Sequence, residues 1–420
     1  MPSLRSTLTK ALLRSIVFFP FVPQLASGFD IQGTNNVALY WGQNSAQISP
    51  QSPLKSYCDR PDVDILILSF ISLLYSNEKI PILNQATPQC FPIPGSAGGQ
   101  VSCPELAQEI EYCKGKGKKI LVSLGGATGG YELLSSAEAA AAAKQVWDTY
   151  LGGGQGGMAV RPFGEVEVDG VDLDLESPPG VEGTHWPVFI DTIRSLYQTE
   201  AGRNGKKDYL VTASPQCVYP DVILSPALRD KRSWFDMLFI QFYNNQCAPT
   251  NPSSFNFNQW AEWARSSSLN PSVKLFIGAP AAPSAAPSGG FTPLESLLEI
   301  ASDSMEDCEN ARVFWNGDSM ATNSTNPYNP FGGIAFWDAS WTTPEYTAAT
   351  KFGLTGSWEK AKARNQIFRR EELERDARRP GEENEAESAA ERKRKSTRTP
   401  TRGRTTRIRH SIRRRHRHRR

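Results

Sequence analysis

The segment Asp169–Glu176, Asp-Gly-Val-Asp-Leu-Asp-Leu-Glu, carries acids that could move a proton. Its polar and apolar residues alternate, and successive side chains of a β-strand point to opposite faces. Asp172, Asp174 and Glu176 would therefore share one face. Carboxyls this close cannot all ionise cheaply, so we expect one proton shared between Asp172 and Asp174, and a raised pKa for Glu176. A carboxyl that stays protonated near neutral pH can act as a general acid towards a leaving oxygen.

An edge strand with one solvated acidic face is the structural alternative for this segment. The segment is, however, the fourth of eight candidate strands that alternate with helices. Strands in such a parallel arrangement are normally covered on both faces. Three acids buried there would be costly unless they serve a function, which favours a functional site.

Eight runs rich in Val, Ile, Leu and Phe are each followed by a segment that could form a helix. These runs are Val37–Trp41, Val63–Phe70, Lys119–Leu124, Gly170–Leu175, Tyr209–Ala213, Met237–Phe242, Lys274–Gly278 and Gly333–Trp337. The clearest predicted helices are Pro104–Lys116, Ser135–Tyr150, Trp186–Tyr197, Phe257–Arg265 and Pro293–Ile300.

This alternation predicts the α/β class and a (β/α)₈ TIM barrel over residues 29–357. An open, doubly wound sheet is the alternative, but no Gly-rich phosphate loop follows the first strand. Strand ends at the C-terminal rim carry the chemistry in such barrels, which would put Glu176 at the mouth.

The two ends of the chain differ from the middle. Residues 1–28 resemble a signal peptide, because basic residues precede the apolar run Ile16–Val22 and small residues follow it. We therefore expect secretion to the extracellular space or the cell wall. A first core helix is the alternative, which Pro20 within the run disfavours. The run is too short to span a membrane, and we expect no membrane span. Residues 358–420 form a charged, Arg-rich tail that we expect to be disordered.

The formal net charge of +2 conceals an asymmetry, because the tail holds a disproportionate share of the Lys and Arg. The barrel is then acidic, which argues against a nucleic-acid partner for it. The tail remains a candidate for binding polyanions.

Seven cysteines without a paired CxxC or a Cys/His cluster favour disulfides over a zinc site, and the odd number leaves at least one thiol. The sequon Asn323–Thr325 agrees with a secreted glycoprotein.

The acidic segment resembles the Asp-x-x-Asp-x-Asp-x-Glu signature of glycoside hydrolase family 18. Four further motifs are similar to the plant and fungal class III chitinase branch of that family: Tyr40–Asn44, Ser123–Gly126, Gln241–Asn245 and Gly332–Trp337. Their order along the chain is the order that a barrel requires.

The resemblance implies endo-acting hydrolysis of β-1,4-linked N-acetylglucosamine in chitin, with retention of configuration. The 2-acetamido carbonyl of the substrate would attack the anomeric carbon and form an oxazolinium ion. Glu176 would be the general acid and then the general base. Asp174 would orient the acetamide N–H, with Asp172 as its proton-sharing partner. No metal or cofactor is implied, and we expect a monomer.

Further site residues follow from the same resemblance. Tyr243 would hold the acetamido carbonyl in line for attack, and Trp337 would lie under the sugar. A plain core role is the alternative for both aromatic residues. Other expected substrate contacts are Tyr40, Gln43, Phe70, Gln241 and Asn244.

The resemblance also implies three disulfides, Cys58–Cys113, Cys90–Cys103 and Cys217–Cys247, with Cys308 left over. The loops Ala46–Ser56 and Gly152–Gly164 depart from the family pattern and leave the preferred substrate length open.

Two other functions on the same barrel stay possible. One is a non-catalytic chitin-binding lectin or inhibitor, against which Glu176 argues because such relatives commonly lose the acid. The other is an endo-β-N-acetylglucosaminidase acting on N-glycans; Tyr40–Asn44 and Gln241–Asn245 favour the chitinase.

Overall fold

The computed structural model describes residues 28–73, 81–84, 89–96, 99–128, 131–154, 160–176, 183–199, 208–315 and 328–355. The predicted signal peptide, the sequon Asn323–Thr325, the tail and part of the loop Gly152–Gly164 lie outside these ranges. The described residues all belong to one compact unit of the chain.

Eight parallel strands close into a barrel, as the sequence predicted. In chain order, β1 to β8 are Asn36–Trp41, Ile65–Leu73, Lys119–Gly125, Gly170–Asp174, Leu210–Ala213, Met237–Gln241, Lys274–Pro280 and Phe331–Trp337. Each strand pairs with the next along the chain, and β1 pairs with β8 to close the ring. The open-sheet alternative is therefore wrong, and the predicted strands are present with ends shifted by a few residues.

Within the described residues, one α-helix follows each strand of the barrel. In chain order, α1 to α8 are Leu54–Cys58, Pro104–Gly115, Ser136–Tyr150, Trp186–Tyr197, Ser225–Arg229, Phe257–Ser266, Leu294–Trp315 and Pro344–Leu354. Ser135 is the N-cap of α3, and its hydroxyl oxygen accepts a hydrogen bond from the backbone N–H of Glu138 at 3.1 Å. None of these helices is long and apolar enough to cross a membrane.

The helix prediction was incomplete. Helix α7 runs to Trp315, far beyond the predicted end at Ile300. Helices α1 and α5 have five residues each, too few to show a helical period in the sequence. Helix α8 was also missed, although Thr343 caps it and Pro344 opens it.

The barrel interior is a packed core. Every other side chain of the strands points inward, which gathers apolar residues from distant parts of the sequence along the axis. This cluster consists of Ala38, Tyr40, Ile65, Ile67, Phe70, Leu121, Leu210, Met237, Phe239, Phe276 and Ala335. It forms the floor beneath the acids of β4.

The three expected disulfides are present. Cys58–Cys113 joins α1 to α2, Cys90–Cys103 lies just before α2, and Cys217–Cys247 links the segments that follow β5 and β6. Cys308 is a buried free thiol in α7. The third bridge fixes two segments at the C-terminal rim, where the acids emerge.

Candidate active site

The acids of β4 face the barrel interior. Parallel pairing aligns Ser123 of β3, Asp172 of β4 and Thr212 of β5 in one layer. Asp172 is fully buried, Asp174 is 4% exposed, and Glu176 is partly buried just beyond the strand end. The alternative of a solvated acidic edge is therefore wrong.

Four hydroxyl groups surround Asp172. Thr212 Oγ1 donates to Asp172 Oδ1 at 2.7 Å. Ser123, Ser214 and Tyr40 donate to Oδ2 at 2.7, 3.0 and 3.1 Å. Burial raises the pKa of Asp172, and these hydroxyl donors oppose that rise because they favour the ionised form. The carboxyl is thereby fixed at the base of the acidic row.

Asp174 is bonded to the acid above it. It shares a hydrogen bond with Glu176, and Gln241 Nε2 donates to Asp174 Oδ1 at 2.9 Å. Burial and then the negative charges of Glu176 and Asp172 raise the pKa of Asp174 well above its ordinary value. We expected the shared proton between Asp172 and Asp174. The structure places the bond between Asp174 and Glu176, because hydroxyl groups already satisfy Asp172.

The pKa of Glu176 is raised, as predicted. Burial is the main cause and the charge of Asp221 adds to it, whereas hydrogen bonds from Asp174 and Gln241 act in the opposite direction. Together, Asp174 and Glu176 form a coupled pair that favours holding a proton. Such a pair provides a carboxyl that can donate to an oxygen at the barrel mouth.

Asp221 was not predicted as part of this site. It is 1% exposed and accepts hydrogen bonds from the backbone N–H groups of Gln216, Ile223 and Leu224 at 2.9, 2.9 and 2.6 Å. These bonds hold the segment after β5 in place beside Glu176. No periodic pattern marks Asp221 in the sequence, because it lies in a loop.

Tyr243 lies just beyond the end of β6. It is 9% exposed, and burial followed by the charges of Glu176 and Asp174 raises the pKa of its hydroxyl well above the ordinary value. The hydroxyl therefore stays protonated and can donate a hydrogen bond.

The loop after β7 holds the backbone of Tyr243. A Cβ on Gly290 would lie 2.7 Å from Tyr243 Cα, so the close approach requires glycine. The backbone N–H of Asn244 donates to Gly289 O at 2.8 Å, and Ser288 N–H donates to Asn244 Oδ1 at 3.2 Å. Asn244, predicted as a substrate contact, thus acts at least in part by fastening this loop.

An aromatic surface occupies the opposite side of the mouth, at the ends of β8, β1 and β2. The rings of Trp337 and Phe70 stack with centroids 5.7 Å apart, and Tyr40 lies 6.0 Å from Trp337. Gly126 makes room for Phe70, because a Cβ there would lie 2.7 Å from the ring. Trp337 is only partly buried. Such a face can stack on the C–H surface of a sugar ring.

Gln43 bonds to the backbone at the rim. Its Nε2 donates to the carbonyl oxygens of Ser69 and Asn84, both at 2.9 Å. Gln43 therefore ties the end of β1 to β2 itself and to the segment that follows β2. Within the described ranges, no group of three His, Cys, Asp or Glu side chains is placed to hold a metal ion.

Comparisons with known proteins agree with this geometry. The model of the family "Glycosyl hydrolases family 18" matches residues 36–391. The chain belongs to glycoside hydrolase family 18.

Two relatives illustrate the likeness. Chitinase 3 of Candida albicans is 36% identical over 326 residues, which make up 77% of this chain and 50% of that protein. The class III chitinase of Arthroderma benhamiae is 33% identical over 362 residues, or 82% of this chain and 93% of that protein. The chain spans about half the length of several curated relatives that it matches.

Solved structures share the barrel but differ in function. A chitinase from Ipomoea carnea is 30% identical with a TM-score of 0.57, covering 76% of this chain and 98% of that one. A xylanase and α-amylase inhibitor protein from Scadoxus multiflorus is 26% identical, also with a TM-score of 0.57, covering 77% and 99%. Because the fold serves both, the function must be argued from the site.

Proposed function

We propose that this protein is an endo-acting chitinase that cleaves β-1,4-linked N-acetylglucosamine with retention of configuration. One observation carries the proposal: Glu176, bonded to Asp174, faces a mouth whose far side presents Trp337. A carboxyl pair that favours holding a proton stands across from a surface suited to a sugar ring.

In the first step, an N-acetylglucosamine unit stacks on Trp337 and its acetamido carbonyl accepts a hydrogen bond from the Tyr243 hydroxyl. The carbonyl oxygen forms a bond to the anomeric carbon while Glu176 gives its proton to the departing glycosidic oxygen. Asp174 accepts from the acetamide N–H and offsets the positive charge that develops on the oxazolinium ion.

In the second step, water attacks the anomeric carbon from the face that the leaving sugar vacated. Glu176, now ionised, takes the proton of that water, and the acetamide is released. Two successive inversions retain the configuration. The enzyme supplies no nucleophile of its own, so positioning by Tyr243 and Asp174 carries much of the rate enhancement.

Asp172 and its four hydroxyl donors support this cycle from below. A negative charge fixed under Asp174 raises the pKa of Asp174 and keeps a proton within the pair that it forms with Glu176. Hydrogen bonds from the hydroxyl groups offset the cost of burying that negative charge.

We further propose that the enzyme acts as a secreted monomer outside the cell or in the cell wall. Three disulfides support an oxidising compartment. The basic tail is proposed to bind polyanions and to contribute nothing to the chemistry.

The test is the variant Glu176→Gln, which keeps the shape of the side chain but has no carboxyl proton. Hydrolysis of chitohexaose should fall by at least about a hundredfold, while the affinity for chitotriose measured by calorimetry stays close to that of the parent. Glu299→Gln, an exposed change on α7, is the matched control and should leave both unchanged. Full activity of Glu176→Gln would refute the assignment.

An inhibitor function is favoured by one observation, the likeness to the Scadoxus multiflorus protein. It predicts that the parent protein hydrolyses no chito-oligosaccharide and instead inhibits a xylanase or an α-amylase. Release of sugar from colloidal chitin, compared with release from a high-mannose glycoprotein, also separates the chitinase from an enzyme acting on N-glycans.

A further inference from the structure

Trp337 is the last residue of β8, and the two neighbouring strands hold it unequally. On one side, pairing with β7 continues to Pro280 opposite Trp337, and the backbone N–H of Ala281 donates to Trp337 O at 2.8 Å. On the other side, the register of β8 with β1 ends at Leu39 opposite Phe336. Support for Trp337 from the β1 side therefore has to come from contacts other than strand pairing.

Asp338, the next residue, provides that support. Its side chain is 1% exposed and accepts from the backbone N–H groups of Ser340 at 2.8 Å and Ser45 at 2.9 Å. The Ser340 hydroxyl donates to the same carboxyl and accepts from the backbone N–H of Ala46 at 3.0 Å. The indole N–H of Trp341 donates to Ser45 Oγ at 2.8 Å. These bonds tie the end of β8 to the loop that follows β1.

We propose that Asp338 is a positioning residue that sets the place of Trp337 beneath the bound sugar. The inference rests on the proposed function, in which Trp337 carries the sugar that is attacked. Both carboxyl oxygens of Asp338 already accept hydrogen bonds, and the side chain is shielded from solvent, so its effect on the reaction passes through its neighbour. A platform displaced by about 1 Å would misplace the acetamide relative to Tyr243 and Glu176, an error that can cost about a hundredfold in rate.

The hydrogen-bond partners of Asp338 require a carboxyl group at this position. Oδ1 accepts from the backbone N–H of Ser340, and Oδ2 accepts from that of Ser45. An asparagine side chain has one acceptor oxygen and one NH₂ donor, so either orientation of its amide would place a donor against one of these N–H groups. Asp338→Asn therefore keeps the shape of the side chain but leaves one buried N–H unsatisfied and weakens the link to the β1 loop.

A double-mutant cycle tests the proposal. Asp338→Asn alone should lower kcat/KM for chitohexaose about tenfold, because the platform is no longer held in place. In the Trp337→Ala background, the same change should lower kcat/KM by less than about twofold, because the side chain through which Asp338 acts is gone. Ser340→Ala removes one hydroxyl from the link and should follow the same pattern, with a loss of about threefold in the parent background.

Asp236→Asn is the matched control. Asp236 is 9% exposed, accepts from the backbone N–H of Val211 in the neighbouring strand at 2.8 Å, and precedes β6 at the opposite end of the barrel. This variant should lower Tm in thermal unfolding without lowering kcat/KM at 25 °C.

Three results would overturn the role of Asp338: no loss in Asp338→Asn, losses that multiply across the cycle, or an equal loss in Asp236→Asn. A parent protein that hydrolyses no chitohexaose would instead refute the proposed function. The same cycle, measured as the Kd of chitotriose by calorimetry, does not require turnover and would then still decide whether Asp338 acts through Trp337.

Discussion

Thr212→Val is a sharp probe of the hydroxyl groups around Asp172. Valine has nearly the shape of threonine, so the change removes one hydroxyl and leaves the packing of β5 intact. That hydroxyl donates at 2.7 Å to Oδ1 of a carboxyl with no solvent exposure, and the other three hydroxyl donors are bonded to Oδ2. A hydrogen bond to a charged group contributes about 1.5–3 kcal/mol to stability.

The loss should depend on pH. Burial already raises the pKa of Asp172, and removing a donor to the ionised form raises it further. An acid whose folded pKa lies above its unfolded pKa loses stability as pH rises through the interval between the two. The variant should therefore lose more stability than the parent between acidic and neutral pH. At neutral pH the full loss corresponds to a fall in Tm of about 3–9 °C.

The measurement is thermal unfolding of parent and variants from acidic to neutral pH. Thr350→Val is the control, because Thr350 is fully buried in α8 and its hydroxyl donates to the carbonyl of Tyr346 at 2.8 Å, with no charge involved. Its loss should be smaller and independent of pH. Thr212→Ser keeps the hydroxyl and should restore the pH dependence of the parent. Equal losses for Thr212→Val and Thr350→Val at every pH would refute the charged role of Asp172.

Two other predictions concern the rate. Tyr243→Phe should lower kcat about ten- to a hundredfold with little change in KM, because the acetamide loses its positioning donor. Steady-state kinetics on chitohexaose measure both constants. The control is Tyr150→Phe, at a buried tyrosine of α3, which should change neither constant. The pH–rate profile should fall on the alkaline side as the proton leaves Glu176. Asp221→Asn should move that fall to lower pH, because it removes one negative charge that raises the pKa of Glu176. A fall at unchanged pH would mean that Asp221 acts only on the backbone of its loop.

The sequence predicted the barrel and the acidic row because both depend on local periodicity. The alternation in Asp169–Glu176 places the acids on one face as soon as the segment forms a strand. The eight apolar runs form a barrel as soon as they pair in chain order. The disulfide pairs came from family resemblance instead, since spacing alone leaves many pairings open.

Contacts that form only in three dimensions were harder to predict. Thr212 contacts Asp172 because the pairing register of β4 with β5 places the two residues side by side. Ser214 contacts Asp172 from just beyond the end of β5. The sequence specifies neither the register nor the end of the strand. Asp221 is buried by the folding of a loop. The hydrogen bond between Asp174 and Glu176 was not predicted for the same reason, because the hydroxyl donors around Asp172 come from other strands.

Retention through the substrate's own acetamide is the central claim, and the anomer of the first product tests it most directly. Proton NMR during early hydrolysis of chitohexaose should show the β-anomer at the newly formed reducing end before mutarotation. An α-anomer as the initial product would mean direct attack by water and would contradict the roles given to Glu176, Asp174 and Tyr243.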